Sequence, residues 1–254
     1  MKNTILLFLF LSMGNFFYSQ DNIRVEYSFK IPSTSYIYNS YLEVSPEASY
    51  FEINNKAITE DQTNTTYDDK GNPFITSLKK GEVNEFVYKD FKKDSIVTLT
   101  HGFLTDEHVY INEKNPTFDW KIENENKEIL GYQCTKAVTT FRGRSYTAWS
   151  VTDIKTSDGP WKFSGLPGLI LEIYDKDGEV KIEANKLVLN AKDNNVVLPK
   201  YDKKYKIYNW ESYTKSINTT IANLKKQMQT IASENDATVD FKAKFNGIDY
   251  IYKD

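Results

Sequence analysis

Between residues 22 and 189 the chain alternates short segments rich in Tyr, Phe, Val, Ile and Thr with clusters of turn residues. That spacing leaves little room for the long helical crossovers that parallel strands need, so it selects an antiparallel sheet. Strands are predicted near 22–31, 36–44, 48–54, 83–89, 94–101, 107–112, 118–124, 132–141, 144–152, 168–175 and 179–189. Asp177-Gly178 and Arg142-Gly143-Arg144 each sit between apolar segments, as hairpin turns whose residues accept positive φ. The polar stretch 59–73 reads as a loop. Residues 210–232 break the pattern. Asn209 is placed as an N-cap, and Tyr213, Ile217, Ile221, Leu224, Met228 and Ile231 recur every three or four residues, which makes one helical stripe suited to a sheet. The predicted fold is mainly β: a single curved antiparallel sheet, half-barrel-like, with one C-terminal amphipathic helix packed on it. No repeat or Pro/Gly linker divides the chain, so 21–254 is expected to be one domain.

The first twenty residues have the layout of a secretory signal peptide. Lys2 precedes an apolar run from Ile5 to Met13 that is too short for a membrane span, and Ser19 and Gln20 offer a cleavage point. Export to the periplasm or beyond the cell is expected, with no transmembrane segment after cleavage. The charges of 32 Lys+Arg and 35 Asp+Glu nearly cancel, which removes the basic footprint of a general nucleic-acid binder. With 40% hydrophobic and 15% aromatic residues, the chain is too apolar for disorder. The one cysteine, Cys134, excludes an internal disulfide framework and is expected to be a small buried apolar residue.

The stretch from Ile129 reads Ile-Leu-Gly-Tyr-Gln-Cys-Thr-Lys-Ala; it is followed by Phe141-Arg142-Gly143-Arg144, Asp158-Gly159-Pro160-Trp161-Lys162-Phe163 and Ser164-Gly165-Leu166-Pro167-Gly168-Leu169-Ile170. Residues 129–175 closely resemble the GLPGLI family of exported Bacteroidetes proteins, named for a stretch matched here by Gly165 to Ile170. The resemblance implies no activity, cofactor or catalytic residue. It implies envelope or uptake work beside TonB-dependent receptors, and the strand pattern looks like the half-barrel of periplasmic lipoprotein carriers. Pro167 presets φ and Gly168 supplies a positive φ, so Leu166 to Leu169 is predicted to turn a tight corner. Leu169-Ile170-Leu171 is apolar on both faces and must be covered on both. Trp161, Phe163 and Leu166 are read either as parts of that corner or as the mouth of an apolar groove.

Other chemistry is sparse. His101 and His108 flank a possible hairpin and could join Asp106 or Glu107 around zinc, although two surface histidines by a turn are the commoner arrangement. No metal or cofactor is therefore expected. Ser-x-x-Lys occurs at Ser77/Lys80 and Ser212/Lys215 no more often than composition predicts, and no Gly-x-Ser-x-Gly elbow is present. Arg142 and Arg144 stand out among three arginines and 29 lysines, because a planar guanidinium suits a carboxylate or phosphate. They could clamp an anionic group or pair with a neighbouring acid such as Asp158. The expectation that follows is a non-enzymatic binding or carrier protein for an apolar or amphipathic ligand, with a TonB-dependent uptake system as one candidate for what it serves. Trp149, Trp161, Phe163 and Leu166 would line its groove, with Arg142 and Arg144 at the rim. The alternatives are an interaction accessory of an outer-membrane receptor and a hydrolase with dispersed catalytic residues.

Overall fold

The computed structural model describes residues 22–31, 36–57, 65–67, 73–75, 83–103, 105, 107–192 and 196–234. The export signal read at 1–20, most of the 59–73 loop, and Asp106 lie outside these residues. Strands β1 (Ile23–Ile31), β2 (Tyr36–Val44) and β3 (Ala48–Ala57) form a meander, and β4 (Thr65–Tyr67) and β5 (Pro73–Ile75) form a small separate pair. There follow β6 (Glu85–Asp90), β7 (Ser95–His101), β8 (His108–Lys114), β9 (Lys121–Ile129), β10 (Tyr132–Phe141), β11 (Arg144–Val151), β12 (Leu169–Asp175), β13 (Lys181–Leu189), β14 (Lys206–Asn209) and the helix α1 (Trp210–Glu234).

Twelve of these strands make one open sheet in the order β14-β8-β7-β6-β3-β2-β1-β13-β12-β11-β10-β9. Every pairing is antiparallel except β14 with β8, which is parallel. The fold is thus the mainly β sheet with one packed C-terminal helix that the sequence predicts, with a single parallel edge added. That edge is reached by residues 190–205, a connection long enough to carry the chain across.

The sheet curls strongly. Nine inter-strand steps separate β8 from β10, which in a flat sheet would be about 43 Å. Yet Arg142, at the β10–β11 turn, ion-pairs with Glu113 of β8. Register shifts help bend the ladder, with the extra residues on β13 opposite β1, on β3 opposite β2, on β9 opposite β10 and on β12 opposite β11. The concave side is filled rather than hollow. Residues 152–168, between β11 and β12, enter it and place Trp161, Phe163 and Leu166 in the main core with Tyr27, Leu42, Phe51 and Val87.

Leu169, Ile170 and Leu171 lie in β12 and are fully buried, so the apolar strand is covered on both faces as its composition requires. Its backbone is satisfied as well: Ile170 N–H donates to Asp158 O (3.0 Å), and Ile170 O accepts from Tyr27 Oη (2.8 Å). Gly168 has φ +101°, in keeping with the predicted corner. The helix lies far from this strand in the sheet order. Asn209 caps it by accepting from Ser212 N–H (2.8 Å). Tyr213, Ile217 and Ile221 pack on Val109 and Ile111 of β8, whereas Met228 and Ile231, further along the predicted stripe, are 40% and 60% exposed.

Candidate functional site

The 152–168 segment carries half of the sequence-predicted site residues, Trp161, Phe163 and Leu166, and buried charges hold it in the curl. Lys89 falls at an inward position of β6, where alternation would put an apolar side chain. Its ammonium donates to Asp158 Oδ1 (2.5 Å), Gly159 O (3.0 Å) and Phe163 O (3.0 Å). All three N–H groups are therefore used, which is what a cation at 1% side-chain exposure requires. Burial pushes the Lys89 pKa down, and the charge and hydrogen bond of Asp158 oppose that shift. Asp158 Oδ2 is buried with no hydrogen-bond partner.

A second buried network closes the curl. Glu113 binds both Arg142 and Lys162, whose side chains are 14% and 0% exposed. The Arg142 guanidinium lies 3.2 Å from the ring centroid of Trp210, the first residue of α1, so one arginine ties the β10–β11 turn to β8 and to the helix start. Arg144 follows a different path and bonds Asp175 Oδ2 (3.1 Å). Asp175 Oδ1 accepts the Glu179 and Val180 N–H groups (2.8 and 2.9 Å), which fixes the β12–β13 hairpin.

The remaining residues expected to bind ligand are interior. Trp161 and Phe163 stack within an aromatic cluster that includes Phe141 (6.2 Å between Trp161 and Phe141 centroids) and Tyr146 (4.8 Å between Tyr146 and Phe163 centroids). Leu166 is 1% exposed. Trp149 is buried beneath the Lys127 ammonium, which sits 4.4 Å from its ring centroid and also pairs with Glu172 (2.6 Å). Sequence reasoning missed Lys89, Glu113 and Trp210. A lysine at an inward strand position was the available signal for Lys89; the other two depend on how far the sheet curls.

A groove of about 520 Å³ is lined by Phe91, Thr152, Lys155, Thr156, Ser157, Asp158, Pro167 and Gly168. Burial pushes the Cys134 thiol up to about 11, so it stays a neutral thiol. Burial works against the charge of Glu183, but hydrogen bonds from Lys181 and Lys30 prevail and hold its pKa below the ordinary range. His101 and His108 do face each other across the β7–β8 ladder, with ring centroids 4.1 Å apart. His101 Nδ1 lies 2.6 Å from Glu85 Oε1. No group of three or more His, Cys, Asp or Glu suited to a metal occurs among the described residues.

The pair has a pH consequence. Burial, then the charge of His101, lowers the His108 pKa. The unfolded chain therefore takes up this proton at higher pH than the folded chain, so stability is full above the unfolded histidine pKa of about 6.5 and falls as pH drops through it. Thermal melts are expected to lose more between pH 7.5 and 5.5 in the wild type than in His108→Phe. Equal losses in the two proteins would show that His108 does not couple to folding.

Residues 49–215 match the family model described as "N-glycanase peptide, N-terminal domain". The chain belongs to this family. Two solved structures titled as PNGF-II, in space groups C2 and P21, are similar at 16% and 15% identity, with TM-scores of 0.46 and 0.47. Each covers 78% of this chain, and this chain spans about a third of theirs, 32% and 33%. No curated protein matches.

Membership in the N-glycanase N-terminal-domain family overturns two sequence expectations. The resemblance to the GLPGLI family gives way, because the stretch that carried it falls inside the matched span. Its Pro and Gly answer to a corner where a Cβ on Gly168 would stand 1.9 Å from Val151 O, so local geometry accounts for those residues without that kinship. The non-enzymatic carrier for an apolar ligand gives way too. The family is named for a glycan-hydrolysing protein, and Trp161, Phe163 and Leu166 fill the core.

Proposed function

We propose that the chain works in the hydrolysis of N-linked glycans, with this domain holding the glycoprotein for a hydrolytic centre that its described residues do not supply. The family match over residues 49–215 carries this reading. The ion-pair chemistry supports the division of labour. Cleavage of a glycosylated Asn amide needs a positioned acid or base free to exchange its proton. The carboxylates of the buried networks are each held by a cation: Glu113 by Arg142 and Lys162, Asp175 by Arg144 and two backbone amides, Glu172 by Lys127, and Asp158 by Lys89 through Oδ1. The signal-like first twenty residues would bring the chain to exported or extracellular glycoproteins.

Calorimetric titration tests the reading. An Asn-linked glycopeptide is expected to bind at least tenfold more tightly than the same peptide without its glycan, a difference of about 1.4 kcal/mol. Equal affinities, or no binding of either, would contradict it.

A further inference from the structure

We propose that residues 196–205 are a strap that mild acid lifts from the sheet through His108, uncovering an aromatic face. Strand β8 has both of its faces in use. Val109 and Ile111 meet the helix, so alternation turns His108, Tyr110 and Asn112 to the other side. There Phe86, Val97, Leu99 and Tyr110 form a buried cluster, with Tyr201 and Tyr205 of the strap packed against it.

The strap joins no strand ladder, and tyrosines seat it. Tyr201 meets the Tyr110 ring edge-on, 4.4 Å between centroids, and its hydroxyl donates to Asn112 Oδ1 (2.9 Å). The Asp202 N–H donates to Tyr110 Oη (3.0 Å), and the Tyr205 ring lies 5.5 Å from that of His108. A segment seated this way opens at a lower free energy than the ladder beneath it.

His108, by contrast, is fixed in β8 opposite His101. It is buried, and its Nε2 has no hydrogen-bond partner. Neutral imidazole can keep that nitrogen as a buried acceptor, whereas imidazolium would bury a charge and an unused N–H together. The charged and titratable groups around the ring are Glu85 on β6, His101 on β7, and Lys204 and Tyr205 on the strap. Burial, His101 and Lys204 oppose a positive charge on His108; Glu85 and a hydrogen bond to the Val83 backbone favour it, and Glu85 Oε1 already lies 2.6 Å from His101 Nδ1. Lifting the strap withdraws Lys204 and the cover of Tyr205 and admits water to Nε2, so a proton taken up by His108 favours the open form. The closed form holds this proton more weakly than an ordinary histidine does. Closure is therefore complete above about pH 6.5 and is lost progressively as pH falls below it.

Hydrogen exchange of the full chain tests the strap, read at the bonded Asp202 and Tyr205 amides and taken relative to the intrinsic exchange rate at each pH. Their protection is expected to fall roughly tenfold between pH 7.5 and 5.5, while amides of β1, β2 and β3 keep theirs. In His108→Phe, which keeps a ring but cannot titrate, strap protection should not change over this range. A wild-type strap with protection flat from pH 7.5 to 5.5, or with a loss shared equally by β1, β2 and β3, would overturn the proposal, and that comparison needs no variant. An equal loss in folded His108→Phe would overturn it as well, because some other group would then be the trigger.

Discussion

Gly168→Ala is expected to leave little soluble, folded protein. The methyl group would stand 1.9 Å from Val151 O, 2.5 Å from Val151 C and 2.8 Å from Thr152 Cα. All three are backbone atoms, so no rotamer change relieves the overlap. The φ of +101° adds a conformational penalty for any residue with a Cβ. Together these should exceed about 4 kcal/mol, against a total stability of about 5–15 kcal/mol for a typical domain. Gly178→Ala provides the control. Its φ is also positive, at +72°, but nothing lies within 4 Å of the added methyl. It should cost only about 1–2 kcal/mol. Urea unfolding of both variants measures the difference, and similar midpoints would show that the Val151 contact is not what makes the corner intolerant.

Lys89→Met should be nearly as damaging. The substitution keeps the apolar stem and removes the ammonium, which leaves the Asp158 carboxylate buried at 2% side-chain exposure without its cation. It also strips a donor from Gly159 O and Phe163 O. Breaking a buried pair from one side costs about 3–5 kcal/mol, whereas replacing both partners by apolar groups is often far milder. Lys89→Met/Asp158→Leu is therefore expected to recover much of the loss. A double mutant that loses the sum of the two single effects would refute the pair as the anchor of the 152–168 segment.

Much of the sheet was legible because strand chemistry is local. Tyr36–Val44 and Tyr132–Phe141 occupy the residues predicted for them, and Asn209 caps the helix as its side chain suggests. What stayed hidden depends on contacts between distant residues. Strand β14 is four residues, Lys206–Asn209, held by parallel pairing to a strand almost a hundred positions earlier, and it is too short for an alternating pattern to mark it. The same holds for Lys89 with Asp158, 69 positions apart, and for Lys162 with Glu113, 49 apart.

The candidate site was harder to read for a related reason. Trp161 and Phe163 look alike in sequence whether they line a groove or plug a curl, and only the closure of β10 toward β8 decides for the plug. The groove is built largely from Thr152, Thr156, Ser157 and Pro167, residues that in sequence look like an ordinary turn. Arg142 and Arg144 did mark places where a planar cation matters. Their partners are the chain's own acids, Glu113 and Asp175.

Saturation-transfer NMR between the chain and an Asn-linked glycopeptide tests the functional account most directly, because it reports which part of the ligand touches the protein. The account predicts the strongest transfer to the N-acetyl methyl protons of the two sugars nearest asparagine. Transfer confined to peptide protons, or none at all, would contradict it.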